Sequence, residues 1–182
     1  MTLAPIKSLI PWFAAFAACM FIRQGAAEVL SSGQNGFEVR ETLRVSATTQ
    51  KVYAALLQPS QWWSSSHTFS GNAANITLDA KAGGCWCEIL PEGGSVEHMR
   101  VVYVAPGNTL RLRGALGPFQ GLGVEGAMTW SLKASSNATD ISVTYAVGGY
   151  SKDGFEGAAK GVDRVLGEQL QLLKKLIEGQ PV

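Results

Sequence analysis

An α+β fold is expected: an antiparallel sheet followed by one long closing helix. Two observations predict it. Three consecutive runs, Thr109–Ala115, Val124–Ala134 and Thr139–Val147, are strand-like, with clear alternation of apolar and polar residues along them. After them comes one amphipathic segment, Phe155–Glu178, whose apolar residues Phe155, Ala158, Ala159, Val162, Val165, Leu166, Leu170, Leu173, Leu176 and Ile177 recur every three or four positions. Gly179 and Pro181 follow, as a helix stop requires. A lone helix after antiparallel strands packs on the apolar face of their sheet. If the sheet curves around it, a cavity opens between them.

The first residues read as an appendage. Lys7 precedes the apolar stretch Leu9–Ile22, Arg23 ends it, and Gly25-Ala26-Ala27 offers small residues to a signal peptidase. The stretch is shorter than the ~20 residues of a bilayer-spanning helix. Residues 1–27 are therefore expected to be a secretory signal, the mature protein to be exported, periplasmic or secreted, and not membrane-spanning. The alternative is a lipoprotein anchored at Cys19, since Phe16-Ala17-Ala18-Cys19 approaches a lipobox; Phe16 fits that motif poorly, and apolar residues continue past the cysteine. No twin-arginine signal is present. Residues 28–36 are small and polar and read as a flexible lead-in, leaving 37–180 as one domain.

Without residues 1–27, which hold Lys7 and Arg23 and no acid, 13 basic and 14 acidic side chains remain. There is no basic patch, so nucleic acid binding has no electrostatic support.

Within the domain, Phe37–Val45 forms a first strand, with Phe37, Val39, Thr42, Leu43 and Val45 alternating imperfectly. Ser46 or Thr48 caps a helix that runs through Leu57 and is broken by Pro59. Ser60–Trp63 adds a helical turn and residues 64–75 are loop. Ile76–Asp79, Cys85–Leu90 and Ser95–Val104 are strands, separated by the Gly83-Gly84 turn and the Pro91–Gly94 hairpin connection. Leu110 and Leu112 alternate with Arg111 and Arg113. Met128, Trp130 and Leu132 alternate with Thr129, Ser131 and Lys133, and Ile141, Val143, Tyr145 and Val147 with Ser142, Thr144 and Ala146. The order is β, α, α, six β, α.

That order, the Trp62-Trp63 pair, the Gly83-Gly84-Cys85-Trp86 turn-to-strand and the final helix resemble the SRPBCC (START-like, helix-grip) superfamily, over about residues 37–180. The superfamily includes polyketide cyclases, lipid-transfer domains, plant allergens of the Bet v type and heat-shock ATPase activators. The resemblance implies a helix-grip fold, with a curved antiparallel sheet wrapped around the C-terminal helix, and a partner that is a small hydrophobic molecule or lipid held between them. Its motifs are structural and speak to fold more than to activity.

Gly121-Leu122-Gly123-Val124-Glu125-Gly126 matches GxGxxG, but it runs into a strand rather than a helix, so it reads as a glycine-rich loop at the cavity mouth with Phe119 at its tip. His67 and His98 are the two histidines, and zinc hydrolase sites usually need three ligands; neither metal nor cofactor is expected. No GxSxG elbow is present. Cys85 and Cys87 share one face of a strand and read as small buried residues; a disulfide would need distorted backbone, since their Cα atoms would lie near the ~7 Å limit, though export would permit oxidation. Asn75 and Asn137 begin glycosylation sequons, which matter only in a eukaryotic host.

Glu88 and His98 lie on adjacent strands at about equal distance from the Pro91–Gly94 turn. Either one or both face water, or, facing inward, they pair as a structural hydrogen bond, as polar recognition inside an apolar pocket, or as a proton-transfer couple. Trp86, Trp130, Tyr145 and Phe155 fall on inward faces, and one of Trp62 and Trp63 packs inward while the other lies near the entrance. The expected ligand-binding set is Trp63, Trp86, Glu88, His98, Phe119, Met128, Trp130, Tyr145 and Phe155, with Glu88 and His98 also the catalytic candidates. The leading reading is an exported, non-catalytic binder of a small hydrophobic molecule. The alternative is a cyclase/dehydratase-like enzyme using Glu88 and His98. An adaptor like the heat-shock ATPase activators is disfavoured by export away from ATP.

Overall fold

The structure, a computed structural model, describes residues 27–182. The expected signal sequence and Cys19 lie outside the described residues, apart from Ala27. Eight strands form one curved antiparallel sheet: β1 (Ala27–Gly33), β2 (Gly36–Val45), β3 (Ile76–Leu78), β4 (Cys85–Ile89), β5 (Ser95–Ala105), β6 (Thr109–Arg113), β7 (Val124–Ser135) and β8 (Ala138–Gly149). Their order is β1-β2-β8-β7-β6-β5-β4-β3. Helix α1 (Thr49–Leu56) follows β2, and helix α2 (Glu156–Glu178) ends the domain. This is the α+β helix-grip architecture.

Residues 28–33 are not a flexible lead-in. They form most of β1, which pairs with β2 from Ala27↔Glu41 to Gly33↔Gly36. Their small polar composition conceals the strand because β1 is an edge, with one hydrogen-bonding side unpaired, and few of its side chains enter the core. The Gln34-Asn35 connection is the two-residue hairpin loop that such a pairing needs.

In β2 the buried residues are Phe37, Val39, Glu41, Leu43 and Val45, a strict period of two. Thr42 is therefore out of phase, and the residue taking its place in the inward row is an acid. Thr48 caps α1 by accepting a hydrogen bond from Lys51 N–H. Helix α2 buries Ala159, Leu166, Leu170, Leu173 and Ile177 along one stripe. It ends where Gly179 adopts a left-handed conformation (φ 71°), with Gly179 N–H and Gln180 N–H donating to Leu176 O and Lys175 O. Truncating a fully buried stripe residue such as Leu170 to Ala costs ~2–5 kcal/mol.

At the Gly83-Gly84 turn the chain folds back on the β3–β4 connection. A Cβ on Gly84 would stand 1.9 Å from Asp79 O, so no side chain fits there. Cys85 and Cys87 correct the expectation of two separate apolar residues: they are half-buried and joined as a disulfide, with Cα atoms 5.4 Å apart. Their spacing is shorter than that of a regular strand, beside the Trp86–Cys87 step where the β4–β5 register shifts.

Candidate functional site

One large cavity, about 620 Å³, lies between the sheet and the N-terminal half of α2. Its walls come from four places: Trp63 and His67 to Phe69 of the loop after α1, His98 of β5, Leu116 to Phe119 before β7, and Tyr145 of β8, closed by Ala158, Gly161, Val162, Arg164, Val165 and Leu166 of α2. The volume falls in the range of pockets that enclose drug-sized ligands, and the walls are mostly apolar. Phe69, 52% exposed, stands at the rim. Gly161 contributes empty space, since a Cβ built on it meets nothing within 4 Å.

The polar centre is Glu88 with His98. Opposite Trp86–Cys87, β5 carries one residue more than β4: Trp86 pairs with Met99 and Cys87 with Glu97, and His98 is the extra residue. The bulge turns His98 and Met99 both inward. His98 Nε2 then lies 2.9 Å from Glu88 Oε2. Glu88 is fully buried, and its carboxylate also accepts the backbone N–H groups of Phe69 (3.1 Å to Oε2) and Ser70 (to Oε1). Burial pushes the Glu88 carboxyl up, but the hydrogen bonds from Ser70 and Phe69 and the charge of His98 outweigh it and hold the group below its ordinary value. Burial pushes the His98 imidazole down, only partly offset by Glu88. The pair is therefore an anionic carboxylate accepting Nε2–H from a neutral imidazole. That arrangement leaves Nδ1 an open lone pair on a ring that lines the cavity, with no hydrogen bond to it among the described residues.

Tyr145 shapes the opposite wall. Its fully buried hydroxyl accepts Leu116 N–H at 2.9 Å and donates to Gly114 O at 3.3 Å, tying down the loop that carries Phe119. Burial pushes the phenol up to about 12, opposed by the Leu116 N–H and reinforced by Glu125, so Tyr145 stays protonated. Gly126 is required beside it, because a Cβ there would come within 2.7 Å of the Tyr145 ring and 2.4 Å of Gly114 O.

The sequence-expected residues separate into three groups. Trp63, His98, Phe119 and Tyr145 line the cavity. Trp86 and Glu88 stand behind them: the Trp86 ring is edge-on to Trp63 at 5.0 Å and 6.0 Å from His98. Met128, Trp130 and Phe155 do not line it and are core. Trp130 packs against Trp62 at 5.9 Å beside a void of about 10 Å³, too small for a ligand, and Phe155 packs on Phe37 at 6.0 Å. Phe119 is not an exposed loop tip; it is buried and packs on Phe37 at 5.6 Å. An inward-facing position on a strand does not tell a cavity wall from filled core, since both are apolar.

Sequence reasoning missed the loop wall and an acid pair. Residues 64–70 are polar on paper, yet they are fastened at both ends: Ser64 N–H donates to the buried Gln169 Oε1 at 2.7 Å, His67 meets Glu168 at 3.3 Å, and Glu88 holds Phe69 and Ser70. Glu41 of β2 faces Asp163 of α2. Glu41 Oε1 and Asp163 Oδ1 are sealed from solvent with no protein donor, and burial, followed by the charge of Asp163 and a hydrogen bond to it, pushes the Glu41 carboxyl up to about 8. The signal was there: Glu41 sits in the inward row of β2.

No group of three or more His, Cys, Asp or Glu side chains able to hold a metal occurs among the described residues. No helix among them is long and apolar enough to cross a membrane. No protein-family model and no curated protein matches the chain. Solved structures do. Protein MLL2253 from Mesorhizobium loti is 19% identical with a TM-score of 0.57, covering 80% of this chain and 99% of its own. CalU16 from Micromonospora echinospora is 15% identical with a TM-score of 0.55, covering 86% and 87%. DynU16, a protein of the dynemicin biosynthetic locus, is 21% identical with a TM-score of 0.58, over 79% of this chain and 48% of its own. These likenesses show the fold, a helix-grip architecture.

Proposed function

We propose that this chain is an SRPBCC-type binding protein that holds one small hydrophobic molecule or lipid in the cavity between its sheet and α2. The observation that carries the reading is the 620 Å³ cavity, mostly apolar, with His98 on its wall and the buried Glu88 behind it. Apolar surface supplies affinity, and His98 Nδ1 supplies an acceptor that orients a ligand hydroxyl or amide. Native mass spectrometry of protein purified from its own host, looking for a co-purified molecule, tests this; a cavity that carries nothing and takes up no apolar probe would count against it.

The second reading is a cyclase/dehydratase-like enzyme, favoured by one feature: a neutral imidazole backed by a buried carboxylate with its other nitrogen open. Such a base withdraws a proton at Nδ1 while Glu88 stabilises the imidazolium. Glu88→Gln and His98→Gln separate the two readings. Turnover by this couple should fall ~10²–10⁴-fold, whereas binding alone should lose only the ~1–3 kcal/mol of one polar contact. The occurrence of DynU16 in a biosynthetic locus is compatible with either reading.

Export is part of the same proposal. It rests on the Leu9–Ile22 stretch and Gly25–Ala27, and N-terminal sequencing of secreted protein should find a start near Glu28. An intact Met1 in a cytosolic fraction would contradict it.

A further inference from the structure

We infer that Cys85–Cys87 is an exchangeable redox site, opened by a dithiol reductant, and that the relaxation of β4 on reduction resets the aromatic wall of the cavity. Residues two apart on an extended strand stand ~6.6–6.8 Å apart. Cys85 and Cys87 are 5.4 Å apart, inside the range for a disulfide, so β4 is contracted while the bond is closed. The contraction coincides with the register shift at Trp86–Cys87 that turns His98 inward.

The sulfur atoms lie on the face of β4 opposite Trp86 and Glu88. Both cysteines are half-buried rather than sealed, so a small thiolate has access. Across the strands Cys85 is paired with Arg100 and Cys87 with Glu97, and the Arg100 guanidinium is held by Glu97 and Gly83 O. The one residue between the cysteines is Trp86, buried and set edge-on against Trp63, which lines the cavity. Glu88 follows at once, holding His98 and the Phe69–Ser70 loop. A change in the length of Cys85–Cys87 therefore moves the residues that build the site.

The step balances as ordinary thiol–disulfide exchange. One thiolate of the reductant attacks a cysteine sulfur, breaking the S–S bond and releasing the other cysteine as thiolate. The reductant's second thiolate displaces the mixed disulfide, leaving the reductant oxidised. Two electrons have passed to Cys85 and Cys87, and two protons complete the thiols. An oxidised dithiol reverses the step.

The link to ligand affinity rests on the binding function proposed above; the exchange itself does not. The test titrates the folded wild-type protein with dithiothreitol and reads three signals: alkylation of Cys85 and Cys87 by peptide mapping, which separates them from Cys19; tryptophan emission; and affinity for the neutral apolar dye Nile red. The expected result is no alkylation before reduction and joint alkylation of both cysteines while circular dichroism stays folded. Tryptophan emission should shift and dye affinity should change several-fold, and Cys85→Ser/Cys87→Ser should match the reduced form. Thiols free in the oxidised folded protein, thiols reached only on unfolding, or identical emission and affinity in both states would each overturn it. Because wild type is read in both states, a double variant that fails to fold leaves the test intact. If Nile red binds neither state, the cavity reading fails, and tryptophan emission still decides the redox site.

Discussion

Glu88 and His98 meet at 2.9 Å because β5 carries one extra residue opposite the Trp86–Cys87 step of β4. Without that bulge, the strand alternation that buries Met99 and Val101 would send His98 to the outer face. The same carboxylate fastens the Phe69–Ser70 loop, so one buried anion supports both the polar centre and a wall of the cavity.

Glu88→Ala should therefore weaken the whole fold. It leaves the part-buried Phe69 and Ser70 N–H groups without their acceptor, and an unpaired donor costs up to ~1–3 kcal/mol. A loss of about 2–5 kcal/mol is expected in urea unfolding, with loop 64–70 becoming the first segment to exchange its amides. A change within a few tenths of a kcal/mol would show that the loop does not depend on Glu88.

Acid should destabilise the protein in two stages. His98 is depressed from 6.5 in the fold, so below pH 6.5 the unfolded chain binds a proton that the folded one resists, and stability falls. Glu88 is depressed from 4.5; its contribution is present above pH 4.5 and disappears as pH drops through its folded value. His98→Gln should remove the first stage and leave the second, as followed by melting temperature against pH.

Glu41 works in the opposite direction. Its carboxyl is raised from 4.5 to about 8, so its favourable protonated state is matched in both forms below pH 4.5. Stability is then lost progressively between pH 4.5 and about 8 as the unfolded chain ionises and the folded one does not. Glu41→Gln, which keeps a donor toward Asp163 without the charge, should raise stability near pH 8 by on the order of a few kcal/mol and flatten the profile. A variant less stable than wild type at pH 8 would contradict the assignment.

Tyr145→Phe removes the hydroxyl that bridges Leu116 N–H and Gly114 O. A cost of ~1–3 kcal/mol is expected. Dye affinity should change too, since Phe119 sits on the released loop; an unchanged loop by amide exchange would place its anchor elsewhere.

The alternation of β6, β7 and β8 and the α2 stripe made the fold legible, because period two and period 3.6 are properties of the chain itself. Equal spacing from one turn was enough to suggest the Glu88–His98 pair. The bulge that turns His98 inward was not readable, because it depends on the register between two strands. Nor was the disulfide, whose 5.4 Å spacing departs from strand geometry. Trp63 and Trp130 are both buried aromatics, yet only Trp63 lines the cavity, and that difference is set by where α2 and loop 64–70 come to rest. Glu41 was within reach: strict alternation from Phe37 places an acid in the inward row, where it needs a partner.

The central claim is that the space under α2 is an open ligand cavity. Gly161→Leu tests it most directly, because position 161 faces empty space, and leucine is a better helix former than glycine by roughly 0.8 kcal/mol. Titration with Nile red should show one equivalent bound by wild type and at least a tenfold loss of affinity in Gly161→Leu, with its melting temperature equal or higher. Equal binding by the two folded proteins, or binding that appears only on thermal unfolding, would contradict the account.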